Sequence, residues 1–202
     1  MVLLRNITAL LMLMMVFSIG CKKNNQPESY FTYKDKTYEL NEGILEYWGV
    51  FKKSEGGYNF DISLFSAGLY FDTNTKTLVG SGEMVYFETF SSSDLELVPG
   101  TYSYDEDATK NPLTFDLGQF WINLDVANET GTLVLVSSGT LKIDTEGSVF
   151  ELVFEYGTST GNVLKGVYRG GLDYYDRTIE KGGSEMRGIL GRINGGVGVS
   201  YN

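Results

Sequence analysis

"GYNFDISLF" occupies residues 57–65, and its alternation decides the class of fold. Tyr58, Phe60, Ile62 and Leu64 fall on one side of an extended chain, and Asn59, Asp61 and Ser63 fall on the other. A β-strand sends successive side chains to opposite faces, so this period of two reads as a half-buried strand. The apolar set is expected to meet a core and the polar set to meet water.

The same reading extends outward from this stretch. Upstream, "YFTYKDKTYEL" (30–40) places aromatic and β-branched runs around Lys34, Asp35 and Lys36, which predicts a hairpin. "GILEYWGVF" (43–51) puts Leu45, Tyr47 and Phe51 on one side and Glu46 and Trp48 on the other. Downstream, "LYFDTNTKTLV" (69–79) reads as two short strands around Asp72, Thr73 and Asn74. "GEMVYFETF" (82–90) is apolar on both faces, as expected of a central strand. "PGTYSYD" (99–105) opens on a turn and continues as a strand. "GQFWINLDV" (118–126) predicts Phe120, Ile122, Leu124 and Val126 inward, with Trp121, Asn123 and Asp125 outward. "GTLVLVSSGTLKID" (131–144) gives one or two strands. "GSVFELVFEY" (147–156) sends Phe150, Leu152, Phe154 and Tyr156 inward, and "NVLKGVYRGGLDYY" (162–175) closes the domain. In that last strand Tyr168 is expected to cover the space beside Gly166 and Gly170.

No window before residue 176 holds a helical period. Strands spaced by turn residues, in a chain with 14 Tyr, 12 Phe and 25 Gly, predict an all-β domain. The expected form is a single antiparallel β-sandwich or lipocalin-like β-barrel of about 8–10 strands, mostly a meander. The domain is expected over residues 30–175, and residues 176–202 read as a Gly-rich tail with a brief helix after Ser184. An alternative for the tail is that "VGVSY" (197–201) adds as a strand to a partner's sheet edge.

The amino terminus carries an address. Arg5 is the only charge before Lys22, and "ITALLMLMMVFSI" (7–19) is an apolar run. A cationic start, a short apolar segment and small residues before a cut site mark an export signal. The run falls short of the ~20 apolar residues that span a bilayer. It ends at Ser18, Ile19, Gly20 and Cys21, and Cys21 is the only cysteine in 202 residues. These four residues resemble the lipobox of bacterial lipoproteins. The resemblance implies a diacylglyceryl thioether on Cys21, cleavage before it, and membrane attachment through the lipid. Each acyl chain adds about 0.8 kcal/mol per buried CH₂, so several chains anchor durably. Residues 1–20 are then a signal peptide and 21–29 a polar tether.

Composition excludes several functions. The formal charge is −10, and losing residues 1–20 makes it one unit more negative through Arg5. Nucleic acid is therefore not an expected partner, since phosphate contacts need clustered Lys and Arg. With no His and one Cys, a zinc site, a His base and an internal disulfide are not expected. No phosphate-binding motif stands between a strand and a helix. No cofactor is expected.

Three constellations remain. "DEDATKNPLTFD" (105–116) loosely echoes a calcium loop through Asp105, Asp107, Thr109, Asn111 and Asp116. Lys110 stands where that loop needs glycine, and Asp and Asn favour plain turns. Two carboxylate pairs, Asp173 with Asp176 and Glu151 with Glu155, could serve a hydrolase. The third is recognition: Trp48 and Trp121 fall on the polar phase of their strands, and Tyr174 and Tyr175 adjoin acids. Exposed aromatics on a rigid sheet can stack on a sugar or anchor a protein. The candidate ligand-binding residues are thus Trp48, Trp121, Tyr174 and Tyr175, and no catalytic residue is assigned.

The lipobox, the polar tether, one Tyr/Phe/Gly-rich β domain and the "LVPGTYSYD" turn (97–105) together resemble the small secreted lipoproteins of Bacteroidota. The resemblance implies an outer-membrane, lipid-anchored protein with a role in nutrient capture or surface structure. Lys22, Lys23, Asn24 and Asn25 depart from the acidic residues that mark surface export in that group. The expected function is a non-catalytic binding module for a glycan or an envelope protein. The alternatives are a structural subunit that donates its tail as a strand, and a carboxylate hydrolase.

Overall fold

The computed structural model describes residues 28–50, 56–75, 77–178 and 200–201. Cys21, the tether up to residue 27, Phe51 and most of the Gly-rich tail lie outside these residues.

The described chain is all β, in 13 strands: β1 (Tyr30–Tyr33), β2 (Lys36–Glu39), β3 (Glu42–Val50), β4 (Tyr58–Phe65), β5 (Leu69–Asp72), β6 (Thr77–Ser91), β7 (Gly100–Tyr104), β8 (Thr114–Asp125), β9 (Thr130–Glu146), β10 (Val149–Thr158), β11 (Val163–Gly170), β12 (Asp173–Asp176) and β13 (Ser200–Tyr201). The main path runs β12-β3-β4-β6-β8-β7-β9-β10-β11-β1-β2, with β5 on β6 and β13 on β9. Two differences from the sequence reading stand out. There are more strands than expected, 13 against about 8–10, with β12 split from the end of β11 and β13 formed by the end of the tail. The pairing is also mixed, since β12–β3, β7–β8 and β13–β9 are parallel.

The sheet curls into a half-barrel. β1 and β8 lie far apart in the strand order, yet Tyr33 and Phe31 of β1 meet Phe120 of β8 at 4.9 Å and 6.1 Å between ring centres. Only a sheet folded over on itself brings those rings together. The concave face holds the larger core, with Phe60, Phe87, Phe115, Leu141, Phe154 and Leu164 among its members. Gly166 leaves space that the Phe154 ring occupies, and the Tyr168 ring stands over Gly170, as expected for the second of these glycines.

Turn chemistry sets the hairpins where the sequence placed them. Lys34 and Asp35 both have positive φ, 49° and 61°, the backbone of a two-residue type I′ turn between β1 and β2. Asp72 accepts the amide of Asn74 at 2.8 Å and closes the β5–β6 connection. Ser29 ties the start of the domain to β11, since the Arg169 amide donates to its Oγ at 2.9 Å.

The convex face departs from expectation. A second core lies there, built from Ile44, Phe65, Met84, Tyr86, Trp121 and Leu133 with others. It covers β3, β4, β6, β8 and β9. Consequently Asn59, Asp61 and Ser63 of β4 do alternate with the apolar set, but they are buried rather than solvated. Glu46 is buried as well.

Bulges explain two further corrections. In β3, Tyr47 pairs with Phe60 and Gly49 with Asn59, so Trp48 is the extra residue of a bulge. In β8, the register breaks after Ile122, and Asn123 takes a φ of +52°. The phase shift moves Leu124 and Val126 to the convex core, beside Trp121, instead of the concave side. The described domain also continues past residue 175, because β12 ends at Asp176 and Arg177 is buried.

Candidate functional site

Cross-strand register assembles an acidic row on the convex face. Tyr175 of β12 stands opposite Glu46 of β3, Glu46 opposite Asp61 of β4, and Asp61 opposite Glu88 of β6. All three carboxylates are buried, Asp61 at 0 % exposure. Taking a carboxylate from water without compensation is costly, so each is expected to be held by donors. Asp61 accepts the Asn59 amide at 2.9 Å and the Tyr86 hydroxyl at 2.8 Å. Burial, then Glu88 and Glu46, nevertheless hold its pKa well above the ordinary carboxylate value. Tyr86 is likewise pushed up, first by burial and then by Asp61.

Glu46 is clasped by Arg177. The guanidinium Nε and Nη2 approach Glu46 Oε1 at 2.8 Å and 2.7 Å. The Arg177 amide donates to the Tyr47 carbonyl at 2.8 Å, extending the parallel β12–β3 ladder by one bond. The guanidinium also lies 5.5 Å from the Phe71 ring centre and 5.7 Å from that of Tyr175. Phe71 and Tyr175 meet edge to face at 4.9 Å.

The same aromatic pair also lines an open cleft of about 280 Å³. Glu42, Ile44, Phe71, Thr73, Asp173 and Tyr175 are among its lining residues, with the buried Gly43 and Tyr168. Gly43 lets the Leu172 and Leu64 side chains pack close to the backbone there: a Cβ would stand 2.5 Å and 2.9 Å from their terminal methyl groups. The Tyr168 hydroxyl donates to the Gly171 carbonyl at 2.7 Å. Burial, Asp173 and Glu42 push its pKa up to about 12. The cleft offers aromatic faces beside oxygen acceptors, the lining of a small polar-ligand site.

The four aromatic candidates separate. Tyr175 lines the cleft. Tyr174, the next residue, points to the opposite face of β12 and is 55 % exposed. Trp48 sits half-buried in the β3 bulge, with its Nε1 buried and without a hydrogen-bond partner. Trp121 is a correction: at 0 % exposure it is a convex-core residue and offers no surface to a ligand.

The carboxylate pairs fare no better as a couple. Asp173 and Asp176 are three residues apart on one strand, so they face opposite ways. Asp176 is held by the Thr178 amide and hydroxyl at 2.8 Å and 2.7 Å, which lowers its pKa. Glu151 and Glu155 share a face but stand about 13 Å apart along β10, beyond glycosidase spacing. Glu155 pairs with Lys165 at 2.8 Å. In the 105–116 loop, Asp105 accepts the Thr109 amide and hydroxyl at 2.7 Å and 2.5 Å, and Lys110 pairs with Asp116. These oxygens close the turn. Among the described residues no group of three or more acids converges as a metal site.

Sequence reasoning missed Glu46, Asp61 and Arg177. The signal was in β6: a strand apolar on both faces implies a covered face, and cover over β6 extends to β4 beside it.

No protein-family model matches the chain, and comparison with curated proteins and with solved structures found no match.

Proposed function

We propose that the chain is a lipid-anchored outer-membrane binding module, without catalytic activity, that takes a saccharide in the cleft beside Tyr175. The anchor is Cys21, on the strength of the Ser18-to-Cys21 pattern. The observation that carries the ligand reading is the cleft itself: two aromatic side chains, Phe71 and Tyr175, line it together with the oxygen acceptors of Glu42, Thr73 and Asp173. Aromatic faces suit the C–H face of a sugar ring, and carboxylates accept its hydroxyls. A glycan array probed with the full chain tests this. Binding that Tyr175→Ala abolishes, with the fold intact, supports it; indifference to Tyr175→Ala sinks it. Protease shaving of intact cells tests the membrane placement and tells surface from periplasm.

A second reading has one observation in its favour. Ser200–Tyr201 pairs in parallel with Thr132 and Leu133 of β9, so this end of the chain pairs as a strand with a sheet. A structural subunit could donate the same segment to a neighbour's edge. Deleting residues 197–202 would abolish assembly on that reading and leave glycan binding intact on the first.

A further inference from the structure

We propose that the cleft beside Tyr175 selects saccharides that carry a free amine, an inference that rests on the cleft being the ligand site. The charged groups of its wall are unbalanced. Glu42 and Asp173 are both exposed, and among the described residues neither side chain has a hydrogen-bond or ion-pair partner. The Tyr168 hydroxyl lies near both but spends its proton on the Gly171 carbonyl. Arg169 is the one cation among the described lining residues, and its guanidinium turns to Glu28 at 4.0 Å and Glu146 at 3.9 Å. Two carboxylates are thus left to a ligand.

An ammonium answers them best. A charge-assisted hydrogen bond is roughly twice as strong as a neutral one. The aromatic wall favours a cation too, because ring faces attract positive charge. Phe71 and Tyr175, which line the cleft, already attract one cation, the Arg177 guanidinium. A neutral hexose would meet Glu42 and Asp173 with hydroxyls alone, and an acidic sugar would be repelled. The volume, about 280 Å³, lies at the small end of ligand sites and suits one sugar ring.

The test is calorimetry of the full chain in detergent with two probes: a β-1,4-linked glucosamine tetramer and its fully N-acetylated counterpart. The amine form should bind at least about tenfold more tightly, the scale of one added charged contact. Glu42→Gln with Asp173→Asn should erase that preference. Glu151→Gln with Glu155→Gln makes the same charge change on another exposed face and should leave it. Equal binding of both probes overturns the amine preference while the cleft remains a saccharide site. A preference lost equally in the Glu151 and Glu155 variant also overturns it, since attraction would then be diffuse. No binding of either probe, with an array indifferent to Tyr175→Ala, overturns both readings.

Discussion

The β10–β11 ladder and the β3–β4–β6 sheet start from the same alternation and end in different environments. In β10, Leu152, Phe154 and Tyr156 are buried in the concave core, while Glu151, Val153 and Glu155 are exposed. In β4, Phe60, Ile62 and Leu64 enter that same core, but Asn59, Asp61 and Ser63 are buried on the other side. Water satisfies the outer polar groups of β10. Side chains must take water's place for those of β4: Asn59 and Tyr86 hold Asp61, the Arg177 clasp does the same for Glu46 on neighbouring β3, and the Ser63 hydroxyl is left buried without a hydrogen-bond partner. Charge on the first face is nearly neutral for stability, while on the second it is decisive.

That contrast can be broken most sharply at the clasp. Arg177→Ala leaves Glu46 buried with its guanidinium partner gone and should cost about 3–5 kcal/mol. Urea unfolding would show it as a large drop in midpoint, with β12 freed from β3. Phe154→Ala opens a cavity in the concave core and should cost about 3–5 kcal/mol as well. Its loss should not disturb the cleft, which a retained Tyr175-dependent ligand would confirm.

Asp61 sharpens the comparison through pH. Its folded pKa is raised above the ordinary 3.8, so the folded state holds its proton more tightly than the unfolded state does. Its contribution is therefore fully present below pH 3.8 and is lost as pH rises through the folded value. Asp61→Asn should raise the urea midpoint at neutral pH and lose that advantage on acidification. A variant less stable at every pH would show that the ionised form is the one the site holds. The smallest effect belongs to the outer face of β10. Glu155→Ala breaks an exposed pair with Lys165 and should change stability by no more than about 0.5 kcal/mol.

Much of the fold was legible because local rules suffice for it. The Lys34-Asp35 turn, the Asp72 turn, the central position of β6 and the inward set of β10 each follow from short-range periodicity and turn chemistry. The phase of β8 beyond Ile122 was not legible. A bulge at Asn123 adds one residue, and every side chain after it changes face. Of the candidate site, Tyr175 was visible as an aromatic beside acids. Trp121 was misplaced for the same reason as Asp61: polar phase was equated with water.

The sequence by itself determined an all-β chain, most of its strand positions, its acidic charge and the concave-facing apolar sets of strands such as β4 and β10. Those properties depend on residues a few positions apart. Only the tertiary structure decided that a second apolar layer covers the convex face, because that layer joins Ile44, Met84, Trp121 and Leu133 from strands distant in the chain. It alone brought Arg177 to Glu46 across 131 residues, and Tyr175 to Phe71 at the rim of a cleft. Period two says which side chains share a face; what lies above that face is set by the curl of the sheet.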